Sequence, residues 1–103
     1  MKKVIDNKIY NTKTSQEVGE YWNGYGSSDF HCIREMLYIT RQGAWFIHAK
    51  GGALTKYADS HGNSSSEGET IIPLSPQEAL EWLSRHNPVE AIEKHFADQI
   101  SEA

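Results

Sequence analysis

The chain has 103 residues, 38% of them hydrophobic, and carries 14 acidic residues against 10 lysines and arginines for a net charge of −4. That size supports one hydrophobic core and is too small for two. A single cysteine, Cys32, excludes an intramolecular disulfide and a cysteine-rich zinc site, no run nears the ~20 apolar residues of a membrane span, and MKKVIDNK lacks the apolar stretch of a secretory signal, so a reducing cytoplasm is expected.

Val4, Ile5, Ile9 and Tyr10 flank Asp6, Asn7 and Lys8, a turn-forming cluster. The start of the chain is therefore expected to form a small hairpin or a bent edge strand. Next, Thr14 as an N-cap with Glu17 at the third helical position makes a capping box. This predicts a short helix through Val18 and Tyr21 that stops near Asn23-Gly24, with Gly19 costing about 1 kcal/mol relative to alanine. Tyr21, Trp22 and Tyr25 crowd around that stop. They read either as packing at the edge of the core or as a stacking platform for a base or a sugar ring, without basic neighbours in sequence to follow a phosphate backbone.

Residues 31–50 read as a β-hairpin and as the centre of the fold. Arg41, Gln42 and Gly43 suit a three-residue loop with the glycine in the left-handed region. That loop sets Ile39 opposite Trp45, Leu37 opposite Ile47 and Glu35 opposite Ala49. On the reverse of the pleat it sets Tyr38 opposite Phe46 and Met36 opposite His48. A two-residue loop would split the aliphatic set between faces. One face then calls for a helix over it. The other, with Met36, Tyr38, Phe46 and His48, is either covered by the rest of the chain or is a contact surface.

Gly51-Gly52 breaks the strand, and Ala53 to Asp59 has the length of one or two helical turns. The glycine pair reads as a sharp turn, or as a backbone cradle for an anion assisted by Lys56. Residues 60–69 are polar and glycine-rich and are expected to be a mobile loop. Thr70 to Leu74 is a short strand that Pro73 confines to an edge. In Ser75-Pro76-Gln77-Glu78 serine caps a helix, proline takes its first position and Glu78 closes the box. Ala79, Leu80, Trp82 and Leu83 supply its apolar side. Asn87-Pro88-Val89-Glu90 repeats the cap chemistry for a second helix with Val89, Ile92, Phe96 and Ile100 as its stripe.

The expected fold class is thus α+β: a single domain, 1–103, with a small antiparallel sheet packed by an N-terminal helix and two C-terminal helices. Its charge is divided. Residues 30–57 hold Arg34, Arg41, Lys50 and Lys56 against Glu35 alone, whereas residues 67–103 hold eight acids against Arg85 and Lys94. The acidic tail repels phosphate backbones and attracts basic partners, or is a solvated surface that keeps the protein soluble. Catalytic signals are lacking. His31 and Cys32 are adjacent on a strand and point to opposite faces. His48 would need His61 or His31 to make a metal site, His86 and His95 sit on separate helices, and no serine has a nucleophile-elbow pattern. No catalytic residue, metal or cofactor is expected.

VIDNKIYNTKT, EMLYITRQGAWFIHAKGGALTKYA and IIPLSPQEALEWL together resemble an uncharacterised family of small proteins carried by bacterial and archaeal phages and mobile elements. The resemblance covers nearly the whole chain and implies a setting, inhibition of host defence in the manner of anti-CRISPR proteins, but carries over no functional residue. The expected function is a non-enzymatic acidic protein-binding module acting on a nucleic-acid-handling host complex. Its surface would be Glu78, Glu81, Glu90, Glu93 and Asp98, or the hairpin face with Met36, Tyr38, Phe46 and His48, with self-association through that face or an edge strand as a secondary expectation. Two alternatives stay open: a nucleotide or small-ligand site using Gly51, Gly52, Lys56, Tyr21, Trp22 and Tyr25, and a nucleic-acid surface on the basic hairpin segment.

Overall fold

A computed structural model describes residues 1–86 and 88–103. The core of the fold is a four-stranded antiparallel sheet in the order β3-β4-β5-β8, formed by β3 (Gln16–Trp22), β4 (Ile33–Ile39), β5 (Trp45–Gly51) and β8 (Gly68–Leu74). Two separate hairpins flank it, β1 (Lys2–Ile5) with β2 (Lys8–Asn11) and β6 (Asp59–His61) with β7 (Ser64–Ser66). The helices α1 (Pro76–His86) and α2 (Val89–Phe96) follow, with a 3-10 turn at Ala97–Gln99.

The β4–β5 register is the one the aliphatic alternation demands. Ile39 pairs with Trp45, Leu37 with Ile47, Glu35 with Ala49, Tyr38 with Phe46 and Met36 with His48. Gly43 takes φ 86°, a conformation that costs a glycine nothing. On one face Leu37, Trp45, Ile47 and Ala49 pack against Ala79, Trp82 and Leu83 of α1 and Ile92 and Phe96 of α2. On the other, Tyr10 of the first hairpin meets Phe46 edge to face at 5.5 Å, with Ile71 completing a second cluster. Asp6 and Asn7 turn that hairpin with φ 51° and 65°, as a two-residue turn between twisted strands requires. Ser75 caps α1 as its sequence directs: the Glu78 amide donates to Ser75 Oγ at 3.1 Å and the Ser75 amide to Glu78 Oε1 at 2.9 Å.

Three expectations are overturned. The fold is mostly β, with 41% strand and 22% helix, and both helices are C-terminal; the N-terminal helix is instead strand β3. A helix of that length gains little alone. As a strand the segment satisfies the outer backbone groups of β4 and lays Gly19 against the ring of Trp82, where a Cβ would stand 3.0 Å from the indole. Thr14 bonds back to Asn11 instead of capping. Second, residues 53–58 form two successive turns, Thr55 to Gly52 and Ala58 to Thr55, and no helix. Third, residues 60–69 are not a structureless loop: they contain most of the β6–β7 hairpin and the start of β8. The second cap falls partly on Asn87, which lies outside the described residues; Pro88 holds the N-cap position of α2 without a side-chain bond. Of its stripe Ile92 and Phe96 are buried, while Val89 and Ile100 are exposed.

Candidate binding surfaces

Antiparallel register places one residue from each strand of the sheet in a row. Trp22 pairs with Arg34, Arg34 with Lys50, and Lys50 with Glu69, so these four side chains share one face near one end of the sheet. The neighbouring row on the same face is Glu20, Met36, His48 and Ile71, and the row beyond contains Tyr38, Phe46 and Pro73. The β1–β2 hairpin packs over Phe46 and Ile71. The opposite end of that face carries a groove of about 640 Å³ whose lining includes Arg34, Lys50, Asp59, Glu67 and Glu69.

The charges along the groove are cross-linked. Arg34 Nη1 stands 3.6 Å from Glu20, Lys50 Nζ 3.4 Å from Glu69, and His48 Nε2 3.0 Å from the same Glu69 oxygen. Partial burial alone would raise the pKa of Glu69, but the hydrogen bond and charge of His48, and then those of Lys50, outweigh it and hold the carboxyl below its ordinary value. Arg34 lies under Trp22, its guanidinium carbon 5.2 Å from the ring centre. The indole N–H of Trp22 donates to the Tyr25 carbonyl at 2.6 Å. The ring is therefore held at its edge and on one face, yet remains 48% exposed.

The loop between β3 and β4 is pinned where it borders this end. Asn23 bridges it, donating to the His31 carbonyl at 2.7 Å and accepting from the Ile33 amide at 3.0 Å. The Gly52 amide donates to the Cys32 carbonyl at 2.9 Å and the Leu54 amide to the Phe30 carbonyl at 2.9 Å. Glycine is required here by contact: a Cβ on Gly52 would stand 2.5 Å from the Phe30 carbonyl oxygen. One on Gly68 would strike the Tyr57 carbonyl.

This packing corrects the anion-cradle alternative. The Gly52 N–H is already bonded, and Lys56 turns to the helix side of the sheet, 3.7 Å from Glu35. Tyr21 also faces that side, stacked on His86 at 4.2 Å, and is separated from Trp22 and Tyr25. The proposed hairpin contact face is reduced as well. Phe46 is fully buried and His48 nearly so, leaving only half-buried Met36 and Tyr38. Burial and the nearby Glu17 and Glu20 push the Tyr38 phenol above its ordinary pKa. By contrast, Glu78, Glu81, Glu90, Glu93 and Asp98 are all exposed on the helical layer, and no cation lies within salt-bridge distance of them among the described residues.

Sequence reasoning missed the Trp22–Arg34–Lys50–Glu69 row and the walls at Asp59 and Glu67. Reading 16–22 as a helix removed Trp22 from the sheet, and reading 60–69 as a loop removed Glu69. The alternation Glu69, Ile71, Pro73 against Thr70, Ile72, Leu74 was the available signal.

Among the described residues no three His, Cys, Asp or Glu side chains converge to hold a metal ion, and no helix is long and apolar enough to cross a membrane. Comparison with protein-family models, curated proteins and solved structures returns no match.

Proposed function

We propose that the protein is a non-enzymatic binding module whose working surface is the negative outer side of α1, α2 and the 3-10 turn, and whose partner is a basic protein surface of the kind that holds nucleic acid. The observation that carries this reading is the common exposure of Glu78, Glu81, Glu90, Glu93 and Asp98 without a neutralising cation among the described residues. A surface on which acids outnumber the exposed Arg85 and Lys94 raises the encounter rate with a positively charged partner and repels a phosphate backbone. The buried ionisable groups are taken up structurally, Glu35 by Tyr57 and Trp82 and His48 by Glu69, which favours binding over acid–base chemistry. The resemblance to phage and mobile-element proteins adds a setting, inhibition of a host defence complex in an anti-CRISPR-like manner.

Two measurements test this. Interference assays in a host with active CRISPR immunity should show plasmid survival rise when the protein is expressed. A variant carrying Glu81→Lys, Glu93→Lys and Asp98→Lys, which leaves the Ser75–Glu78 cap of α1 in place, should lose that protection and lose capture of the targeted complex while melting normally. Protection unchanged by the reversal would remove the helical face as the working surface. A basic-hairpin nucleic-acid surface is less favoured, since Arg34 and Lys50 each stand beside a carboxylate.

A further inference from the structure

We infer that the first hairpin docks the protein on an anionic phospholipid surface, with Val4 and Ile9 entering the headgroup layer and the lysines around them meeting lipid phosphates. The inference is independent of the acidic helices, which pack on the opposite face of the sheet from this hairpin.

Register is the first argument. Val4 pairs with Ile9 and Lys2 with Asn11, so these four side chains share the face of the ribbon turned away from Tyr10. Val4 and Ile9 are 64% and 63% exposed, because the contacts to Phe46 and Ile71 are made by Tyr10 and Ile5 on the reverse face. Cations surround the aliphatic pair. Lys2, Lys3, Lys8, Lys13 and Arg41 are all exposed, and no carboxylate stands within salt-bridge distance of them among the described residues. Asp6 and Glu17 are the acids of residues 1–17, two against these five cations. Lys3 and Lys8 start from the reverse of the pleat, but a lysine stem is long enough to carry its ammonium group round the edge of a two-stranded ribbon.

A shallow recess beside the hairpin supplies the second argument. It measures about 230 Å³, its lining includes Ile9, Asn11, Ser15, Thr40, Arg41 and Gln42, and no carboxylate of the described residues contributes to it. Thr40 Oγ1 already accepts the Ala44 amide at 3.0 Å, which leaves its own proton to donate. Hydroxyl and amide donors beside a guanidinium suit a phosphate group, and the volume lies below the roughly 300–1,000 Å³ of pockets that enclose a whole small ligand. Ile9 in that lining sets an aliphatic side chain next to a phosphate position, as the boundary between headgroups and acyl chains requires. Two other partners fit less well. A nucleic-acid backbone would satisfy the cations but would give Val4 and Ile9 nothing apolar to bury against. An acidic protein, the helical face of a second copy included, would need about 20–30 residues a side for a stable interface, whereas the two strands span only Lys2–Ile5 and Lys8–Asn11. An anionic leaflet has no such requirement, since its field acts on each lysine near it.

The test is flotation of the protein with vesicles of phosphatidylcholine alone and of phosphatidylcholine mixed equally with phosphatidylglycerol, beside titration with a short DNA duplex and sedimentation of the protein without vesicles. The protein should float with the anionic vesicles only, and should be released as salt rises from about 0.1 M to about 1 M, where the Debye length shrinks from about 10 Å to about 3 Å. Lys3→Gln/Lys8→Gln should weaken partitioning by about tenfold or more, at roughly fivefold per lysine. Val4→Thr/Ile9→Thr, which keeps β-branched side chains at exposed positions, should weaken it several-fold without altering the melting temperature. Inorganic phosphate at the concentration of the lipid phosphate, with ionic strength held constant, should leave the vesicles bound. The inference is overturned if anionic vesicles fail to bind at low salt, if either double substitution leaves partitioning unchanged, if free phosphate displaces the vesicles, or if the duplex binds more tightly than they do. It is equally overturned if the substitutions instead break up a self-associated species that ignores vesicles. Vesicle binding kept by the Glu81→Lys, Glu93→Lys and Asp98→Lys variant that loses partner capture, or the reverse in the hairpin variants, separates this inference from the proposed function.

Discussion

Trp82 Nε1 donates a 2.8 Å hydrogen bond to Glu35 Oε1, tying α1 to β4 across 47 residues of sequence. The second oxygen of Glu35 accepts from Tyr57 Oη at 2.6 Å, with Lys56 at 3.7 Å. A carboxylate only 6% exposed is thereby satisfied on both oxygens. Burial, and then the bond to and charge of Glu35, raise the Tyr57 phenol well above its ordinary pKa.

Removing Glu35 leaves the buried Trp82 N–H and the part-buried Tyr57 O–H without an acceptor. Glu35→Ala is expected to cost about 3 kcal/mol, since an orphaned buried donor costs on the order of 1–3 kcal/mol and the two penalties share one site. Glu35→Gln keeps an acceptor for one of them and should cost less. Urea unfolding of both variants and of Tyr57→Phe checks the order, and the double variant Glu35→Gln/Tyr57→Phe should be less destabilised than the sum of its parts.

Stability should fall in acid. Burial by itself would raise the pKa of Glu35, but the hydrogen bonds from Tyr57 and Trp82, then the charges of Lys56 and His86, outweigh it and leave the folded value below the ordinary 4.5. A carboxyl whose folded pKa is depressed contributes stability that is fully present above the unfolded value and is lost as pH falls through the folded one. Glu69 has the same sign. Burial also lowers the pKa values of His86 and His95, so melting temperature should begin to fall as pH drops through about 6.5 and fall further below about pH 4.5. Glu35→Gln should melt lower at neutral pH and show a shallower acid drop; an equal drop would assign the effect to other carboxylates.

Gly68 separates contact from conformation. Its φ is not in the left-handed region, but a Cβ there would strike the backbone carbonyl of Tyr57, the residue whose phenol bonds Glu35. Gly68→Ala should cost about 2–3 kcal/mol, in the range of overpacked sites. Gly26→Ala, with open space around it, should be close to neutral. Thermal melts of the pair read the difference directly.

Tyr10 is the anchor of the first hairpin. It is buried against Phe46, while Val4 and Ile9 are exposed. Tyr10→Ala removes an aromatic contact whose loss costs about 3 kcal/mol in a core, and a two-stranded hairpin is marginal without packing. Amide exchange in residues 2–11 should then accelerate far more than in β4 and β5. Uniform acceleration would mean that the hairpin and the sheet unfold as one unit.

The elements legible in the chain were those whose determinants are local. Gly43 and the alternation from Glu35 to Ala49 allow one hairpin register, because any slip carries aliphatic side chains to the wrong face. Ser75, Pro76 and Glu78 specify the start of α1 through bonds made within one turn. Thr14 and Glu17 carry the same local signature and were misleading. There the competing partner was β4, whose backbone offered more bonds than a cap could. Of the candidate surfaces, the five helical acids were readable from composition, and three residues lining the groove came from segments assigned to other structures: Asp59 to helical turns, and Glu67 and Glu69 to a loop.

By itself the sequence determined a central hairpin, its register, two C-terminal helices and the negative charge they present, since each follows from spacing within a few residues. Only the tertiary structure decided that residues 16–22 are a strand, that Glu35 is the buried link between sheet and helix, and that Trp22, Arg34, Lys50 and Glu69 stand in one row. Those relationships depend on strand pairing between distant segments. Pairing is chosen by the combined burial and hydrogen bonding of the whole sheet, a quantity that no local window contains.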